Sequence, residues 1–222
     1  MQSNKITAKK LVTWAMITAI AYVVMYLSKF LPQVYGFLQF DLKDTVICMG
    51  GFVFGPLAAA AISLVVTFLE MISASDTGPV GFLMNLVATG TFCCTASYIY
   101  RRAKGSKKGT VIGLILAVLA LTAVMCIWNY LITPIYQGIP RSAVAAMLPT
   151  IFLPFNLVKG GLNMAGVLLL YQPVLLALRR AGLVPEETEA EESRGSRIGF
   201  ACFTLAVVAT FVLIALVMFK VI

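Results

Sequence analysis

The chain has 222 residues, of which 60% are hydrophobic and 12% are charged, and its formal net charge is +8. Soluble domains rarely have this composition, and several apolar runs reach the ~20 residues that a helix needs to cross a bilayer. The absence of histidine excludes His-based catalysis, the common zinc sites and a histidine proton relay. Most basic residues lie in short segments between apolar runs, which is typical of topology signals and not of nucleic-acid binding. We therefore predict an all-α polytopic membrane protein.

The first predicted elements are a helix over Leu11 to Leu31 and an apolar stretch from Thr45 to Ile72. The first helix exceeds an ordinary signal-peptide core and no small-residue cleavage site follows, so we expect it to be retained. Gly55 and Pro56 divide the second stretch, because proline breaks or kinks a helix. Two short helices place the basic segment 101–108 beside the N-terminal lysines, as the positive-inside rule requires. The first of them, ~18 Å long, must lie in a protein-lined region.

The remaining predicted helices complete the membrane domain and add one helix. They cover about Gly81 to Tyr100, Thr110 to Leu131, Ala145 to Leu178 and Ile198 to Phe219. We expect a loop from Thr133 to Arg141, and bends in the sixth helix at its prolines. The domain organisation that follows is a membrane domain over 1–180, a charged cytoplasmic linker over 181–197 and an accessory helix over 198–222.

One lysine and one asparagine lie within an apolar run of the sixth predicted helix. Lys159 falls between Met147 and Ala177, and Asn156 precedes it by three residues, on the same helical face. An ionisable group in a spanning segment is costly and indicates a functional site by default. We therefore favour ligand contact by this pair, with a structural ion pair between Lys159 and Asp44 as the alternative.

Other polar and aromatic side chains accompany this pair in the outer half of the predicted topology. Asn85, Asn129 and Asn163 lie in predicted helices, where interhelical hydrogen bonding is the alternative to ligand contact. The loop after the first helix carries aromatic residues beside amides, such as Phe40 beside Gln39, which suits a flat heteroaromatic ligand. An aromatic belt at the bilayer interface explains the same composition, and composition leaves both interpretations open.

Two further features have a defined physical meaning. Glu70 stands near the outer end of the third predicted helix, where snorkelling to the interface is favoured over a proton-coupling role. Ala15 and Ala19 have the small-xxx-small spacing that allows another helix to approach closely.

Four stretches carry a resemblance to a known family. They are residues 37–44 (FLQFDLKD), 50–58 (GGFVFGPLA), 77–85 (TGPVGFLMN), and 128–130 (WNY) together with 154–160 (PFNLVKG). From about Ala15 to Arg180 the chain resembles the substrate-binding S-component of energy-coupling factor (ECF) vitamin transporters, and within it the riboflavin-binding branch. The asparagine–lysine motif is the most specific of the four, whereas the Gly-Pro break is shared more widely among S-components.

The resemblance implies a fold and a function. The fold is a six-helix S-component-like bundle, here with one extra C-terminal transmembrane helix. The function is a non-catalytic subunit of an ABC-type importer in the bacterial plasma membrane, with its N-terminus in the cytoplasm. It would capture riboflavin, as transported ligand and not as cofactor, and deliver it inward with a transmembrane coupling subunit and two ATPases.

The resemblance also implies roles for individual residues. Asn129, Asn156 and Lys159 would hydrogen-bond the flavin ring edge, and the loop around Phe40 and Asp41 would cover the ring or the ribityl chain. The other expected binding residues are Tyr35, Leu38, Gln39 and Asn85, and the coupling subunit would dock on Ala15 and Ala19.

The chain departs from the riboflavin branch at Phe82, where a glutamate is usual. Another vitamin or a flavin-like heterocycle remains an alternative ligand, although a cationic vitamin would fit poorly beside Lys159. An autonomous proton-coupled carrier, with Glu70 as the titrating group, is a further alternative. An intramembrane enzyme is disfavoured because no nucleophile–base constellation is present.

Overall fold

A computed structural model describes residues 8–36, 38–75, 77–180 and 194–219. Its helices are α1 (Ala8–Ser28), α2 (Lys43–Phe54), α3 (Pro56–Ser73), α4 (Gly78–Arg102), α5 (Lys107–Gln137), α6 (Arg141–Met147), a π-helical segment (Leu148–Phe152), α7 (Leu153–Arg180) and α8 (Arg194–Met218). Most of the predicted linker, residues 181–193, lies outside the described residues.

Six helical segments of the described chain are long and apolar enough to cross a membrane. They are Lys10–Ser28, Pro56–Ser73, Gly78–Arg102, Lys107–Gln137, Arg141–Tyr171 and Gly199–Met218. The 12-residue α2 is shorter, and nine of its residues are buried among the other helices. The predicted all-α membrane architecture is confirmed, and the short second helix lies in a protein-lined position as expected.

The predicted division of the second apolar stretch is also confirmed. α2 ends at Phe54, Gly55 has a φ of 98°, and Pro56 is the first residue of α3. Proline suits this position because its fixed φ is already helical and the missing N–H would have no partner there. Glycine is required at 55 both by the positive φ and because a Cβ would overlap the guanidinium of Arg101.

The two ends of the bundle differ in composition. The basic end comprises the α2–α3 turn, the α4–α5 loop and the neighbouring part of α7, and its basic residues are Arg101, Arg102, Lys104, Lys107 and Lys108. There the rings of Phe52 and Tyr100 stack with their centroids 4.2 Å apart. The Tyr171 hydroxyl donates a hydrogen bond to the Gly105 carbonyl at 3.1 Å. The cavity end comprises the α1–α2 segment 29–42, the α3–α4 segment 74–77 and the ends of α5 and α7 that face them.

Between the two ends, the helices pack around a common apolar core. Buried members from five helices are Ile47, Ile62, Phe92, Leu121 and Leu168. Gly160 allows α7 to approach α5 closely, because a Cβ there would lie 3.1 Å from Val118 and 3.2 Å from Leu121. Small residues at such crossings let helix backbones approach where lipid provides no hydrophobic driving force.

The prediction that the fifth helix ends at Leu131, with a loop from Thr133, is wrong. α5 continues through Pro134 to Gln137 and ends before Gly138, which has a left-handed φ of 65°. A proline costs a helix one hydrogen bond and a steric clash but keeps a helical φ. The continuation carries the last turn of α5 into the cavity end.

The predicted sixth helix is divided into three parts. α6 ends at Met147, the π-helical segment covers Leu148–Phe152, and α7 begins at Leu153. Pro149 lies within the wider turns and Pro154 lies just after them, which is consistent with the bend expected from these prolines. π-Helical turns are frequent at functional sites, and here the segment directly precedes Asn156.

Candidate functional site

A cavity of about 250 Å³ opens at the cavity end. Its wall combines the α1–α2 segment with residues of α3, α4, α5 and α7. Eight of the nine predicted binding residues line it: Leu38, Gln39, Phe40, Asp41, Asn85, Asn129, Asn156 and Lys159. The structure therefore brings together residues that are up to about 120 positions apart in the sequence.

The ninth predicted binding residue, Tyr35, does not line the cavity. Its side chain is 60% exposed and it has a φ of 54°, beside Gly36 with a φ of 77°. These two residues form the turn across which Val34 and Leu38 exchange two backbone hydrogen bonds. Tyr35 thus shapes the turn that presents Leu38 to the cavity.

Sequence reasoning missed several residues of the cavity wall. They include Lys29, Glu70, Thr133, Tyr136, Gln137 and Phe155. The last turn of α5 was missed because a loop was predicted from Thr133 onwards. Phe155 could have been found, since it lies beside Asn156 in the motif that carried the resemblance. Phe82, which stands where the riboflavin branch usually has a glutamate, does not line the cavity. Its ring packs in a T-shaped arrangement with Phe68, with the ring centroids 6.2 Å apart.

A chain of buried ion pairs lies in and behind the cavity wall. The carboxylate of Asp41 contacts the ammonium groups of Lys159 and Lys43, each at 3.0 Å. Lys43 also contacts Glu70 at 3.2 Å, and Glu70 contacts Lys29 at 3.0 Å. Lys43 is completely buried, and a buried charge is tolerated only when it is paired in this way. The network joins the ends of α1, α2, α3 and α7.

Two expectations about charged residues are corrected by this network. Lys159 pairs with Asp41 and not with Asp44, whose carboxylate accepts a hydrogen bond from Thr89 at 2.7 Å. Glu70 does not reach out to the interface, because it is 3% exposed and held between Lys29 and Lys43. Two ammonium groups compensate its charge inside the protein, so the reason for snorkelling is removed.

The neighbouring cations determine the ionisation of Asp41. Burial alone would raise the pKa of its carboxyl group, but the ammonium groups of Lys159 and Lys43 lower that pKa well below its usual range. Asp41 is therefore an anion at neutral pH. Its Oδ1 is buried and has no hydrogen-bond donor among the described residues.

Hydrogen bonds fix the backbone of the segment that carries Asp41. The Asn163 amide donates to the Asp41 carbonyl at 2.8 Å and accepts from the Thr45 N–H at 2.9 Å. Asn163 therefore joins α7 to α2 and lies outside the cavity wall. Of the two interpretations of this residue, interhelical hydrogen bonding is the one that the structure supports. Gln39 donates to the Lys29 carbonyl at 3.1 Å and so covers the C-terminal end of α1.

The side chains of the two asparagines that are expected to contact the flavin ring form hydrogen bonds with the preceding turn of their own helical segments. Asn156 Nδ2 donates to the Phe152 carbonyl at 2.7 Å, in the π-helical segment. Asn129 Nδ2 donates to the Met125 carbonyl at 2.7 Å, and its Oδ1 accepts from Thr133 at 3.2 Å. Both amides are thus oriented before a ligand arrives, which reduces the entropy that binding must offset.

Aromatic rings form an apolar side of the cavity. Phe40 and Phe155 both line it and stack with ring centroids 4.8 Å apart.

On the surface of α1, away from the cavity wall, Ala15 and Ala19 are both exposed. They are accessible to a partner helix in the way that their spacing predicts.

Comparisons with known proteins agree with this architecture. The sequence pattern of the family described as the substrate-specific component of ECF transporters matches residues 9–171. The riboflavin transporter RibU of Staphylococcus aureus (strain TCH60) is 34% identical over 187 residues, which cover 81% of this chain and 95% of that protein. The riboflavin transporter FmnP of Bacillus subtilis (strain 168) is 32% identical over 161 residues, which cover 68% and 84%.

A solved structure shows the same fold. It is described as the S component of a bacterial ECF transporter, and it aligns with a TM-score of 0.66 at 31% identity. The alignment covers 78% of this chain and 98% of that one.

Proposed function

Since the chain belongs to the substrate-specific components of ECF transporters, we propose that its cavity binds riboflavin and that the protein delivers it across the plasma membrane. The observation that carries the ligand assignment is the wall itself. It combines stacked aromatic rings with preoriented amides and Lys159 around one cavity. Two relatives named as riboflavin transporters, 34% and 32% identical, support it.

The chemistry of the wall suits a neutral, flat ligand with many hydroxyl groups. Lys29 and Lys159 of the wall each have a carboxylate partner at 3.0 Å, so neither ammonium group needs an ionic ligand as its counter-ion. An extra unpartnered charge would be costly in this buried position. Riboflavin is uncharged, and its isoalloxazine ring presents carbonyl acceptors to the amide and ammonium donors of the wall.

The orientation we propose follows from the two ends of the bundle. The basic end, with residues 101–108, would face the cytoplasm by the positive-inside rule, together with the N-terminus. The cavity end would then open to the outside. The exposed face of α1 at Ala15 and Ala19 would dock on the transmembrane coupling subunit, which two ATPases serve.

Uptake measurements test this function and its alternative together. In cells that neither make nor import riboflavin, we expect uptake only when the chain is co-expressed with a coupling subunit and its ATPases. Ala15→Trp should abolish uptake and co-purification while leaving riboflavin binding intact. Ala123→Trp, at an exposed alanine of α5, is the matched control and should behave as wild type.

The opposite results would support a proton-coupled carrier. Uptake without the ATPases, lost in Glu70→Gln, would overturn the proposal. The structure argues against that role, because Glu70 is already committed to two ammonium groups.

A further inference from the structure

The last helix has one face that packs on the bundle and one that does not. Phe200, Thr204, Val207, Phe211 and Ala215 follow each other at intervals of three and four residues and are buried or half-buried. Leu205, Leu213 and Val217, on the other side, are more than half exposed. α8 begins at residue 194, beyond residue 171 where the family match ends. Its apolar stripe is therefore a feature of this chain that the family assignment does not explain.

α8 contacts the bundle at several points from Phe200 to its end. Near its start, the Lys107 ammonium lies over the Phe200 ring, 5.1 Å from the centroid. In its middle, Phe211 lies against Gly161 of α7, where a Cβ would overlap the ring. The absence of a side chain at Gly161 is thus what permits this approach. The neighbouring glycine, Gly160, faces α5 instead, so α7 accommodates close neighbours on two sides.

The end of α8 reaches the wall of the cavity. A wall cluster consists of Val34, Phe40, Phe155, Val158 and Ala215, with Leu38, Leu162, Met218 and Phe219 packed against it. Three of these nine residues, Ala215, Met218 and Phe219, come from α8 or the position directly after it. The edge of the Phe219 ring meets Phe40 with centroids 5.4 Å apart. Phe40 is thus held between Phe155 of α7 and Phe219.

The segment that carries Phe40 has few other attachments. The described residues of the 33–42 segment form no helix, and their neighbours hold them mainly through Gln39, Leu42, the Asp41 carbonyl and the ion pairs of Asp41. Phe40 lines the cavity, so a bound ligand would contact it. Contacts that restrain Phe40 would then oppose release of the ligand.

We propose that α8 is an integral part of the substrate site, and that Phe219 is a positioning residue that holds Phe40 in the cavity wall and slows release of the ligand. The identity of that ligand rests on the proposed function. The restraint of the 33–42 segment by α8 does not, so the two can fail separately.

A first experiment needs no ligand. In the full-length protein in detergent, we expect backbone amides of residues 33–42 to exchange hydrogen about three- to tenfold faster in Phe219→Ala than in wild type, the scale of one aromatic pair. Leu213→Ala, at an exposed position of the same helix, is the control and should exchange at the wild-type rate. Phe219→Leu, which retains an apolar contact, should recover part of the protection.

A second experiment follows release of riboflavin after displacement by an excess of unlabelled competitor. We expect release about three- to tenfold faster in Phe219→Ala, again on the scale of one aromatic pair. Gly161→Ala should have a similar effect because it pushes Phe211, and with it α8, away from α7. Adding Phe211→Ala to Gly161→Ala should restore slower release, since the overlap is removed.

The outcomes separate the two proposals. Exchange in Phe219→Ala at the wild-type rate would overturn the role of α8, whatever the ligand is. Faster exchange with unchanged release would overturn the claim that this restraint governs the ligand. A wild-type protein that binds no riboflavin would sink the proposed function, and the exchange rates would still decide whether α8 restrains the wall.

Discussion

The two ends of the bundle solve the problem of burial in opposite ways. At the basic end, aromatic rings and small residues pack directly, as where the rings of Phe52, Tyr100 and Tyr171 contact one another. At the cavity end, an alternating series of three cations and two carboxylates, from Lys29 to Lys159, joins four helices around a void. The cavity described above lies at the end that the ion-pair network joins, and residues of that network line it. We infer that the basic end contributes stability and that the cavity end contributes binding at a cost in stability.

The largest expected effect comes from breaking the network at its centre. Lys43→Met removes the shared partner of Asp41 and Glu70, and we expect a loss of about 3–5 kcal/mol in stability, as when one member of a buried ion pair is removed. Thermal unfolding in detergent measures it. Lys29→Met is the matched control, because Lys29 is 28% exposed and has one carboxylate partner, so its effect should be smaller. Equal melting temperatures for Lys43→Met and wild type would show that the network carries no stability.

The next effect should appear at the basic end and should leave binding unchanged. Gly51→Ala places a Cβ 2.9 Å from that of Ala59 and against Ser97, and we expect a loss of about 1–3 kcal/mol from overpacking. Riboflavin affinity should stay within about twofold of wild type, because the cavity is at the other end. Gly90→Ala, where no atom lies within 4 Å, should be neutral or slightly stabilising. A parallel fall in affinity in Gly51→Ala would contradict the division between the two ends.

At the cavity, Lys159→Met should change binding more than folding. Asp41 keeps Lys43 as its partner, so the network survives. We expect riboflavin affinity to fall by more than about 1.5 kcal/mol, roughly tenfold, the scale of a hydrogen bond to a charged group. Fluorescence quenching of riboflavin measures the affinity, and Lys108→Met at the basic end is the control. Wild-type affinity in Lys159→Met would remove this lysine from the ligand site.

The smallest expected effect is that of pH. The pKa of Asp41 lies below its usual value of 3.8. The carboxyl group is therefore fully ionised at any pH above 3.8, and its contribution is lost only when the pH falls through the lower pKa of the folded protein. Between pH 8 and pH 5 riboflavin affinity should therefore stay within about twofold. A tenfold change in that window would reveal a titrating group at the site, as a proton-coupled mechanism requires.

Local rules explain which features were predictable. The break at Gly55 and Pro56 follows from backbone restrictions, and Lys159 is conspicuous because a charge in an apolar run is expensive. The partners of the charges were not predictable: Asp41 and Asp44 are three residues apart, and only the approach of α7 to the α1–α2 segment selects Asp41. Glu70 was misjudged for the same reason, since its two lysines come from other elements.

The distinction between features set by local rules and features set by packing also applies to helices α5 and α8. Propensity rules favour ending α5 near Pro134, but neighbouring helices can sustain a helix through a proline. α8 has an apolar sequence like any membrane anchor, so its contact with Phe40 emerges only from packing. Its status as an accessory element, as the sequence suggests, or as an integral one, as we propose, awaits the exchange experiment.

The central claim is that the cavity is a riboflavin site, and its most direct test is a titration of the purified full-length protein with riboflavin, preceded by an absorption spectrum of the sample. The account predicts either flavin bands near one equivalent in the purified protein or saturable quenching of added riboflavin at one site per chain. A colourless sample that also leaves riboflavin fluorescence unquenched would contradict it and would indicate that this cavity binds another substrate of the same transporter family.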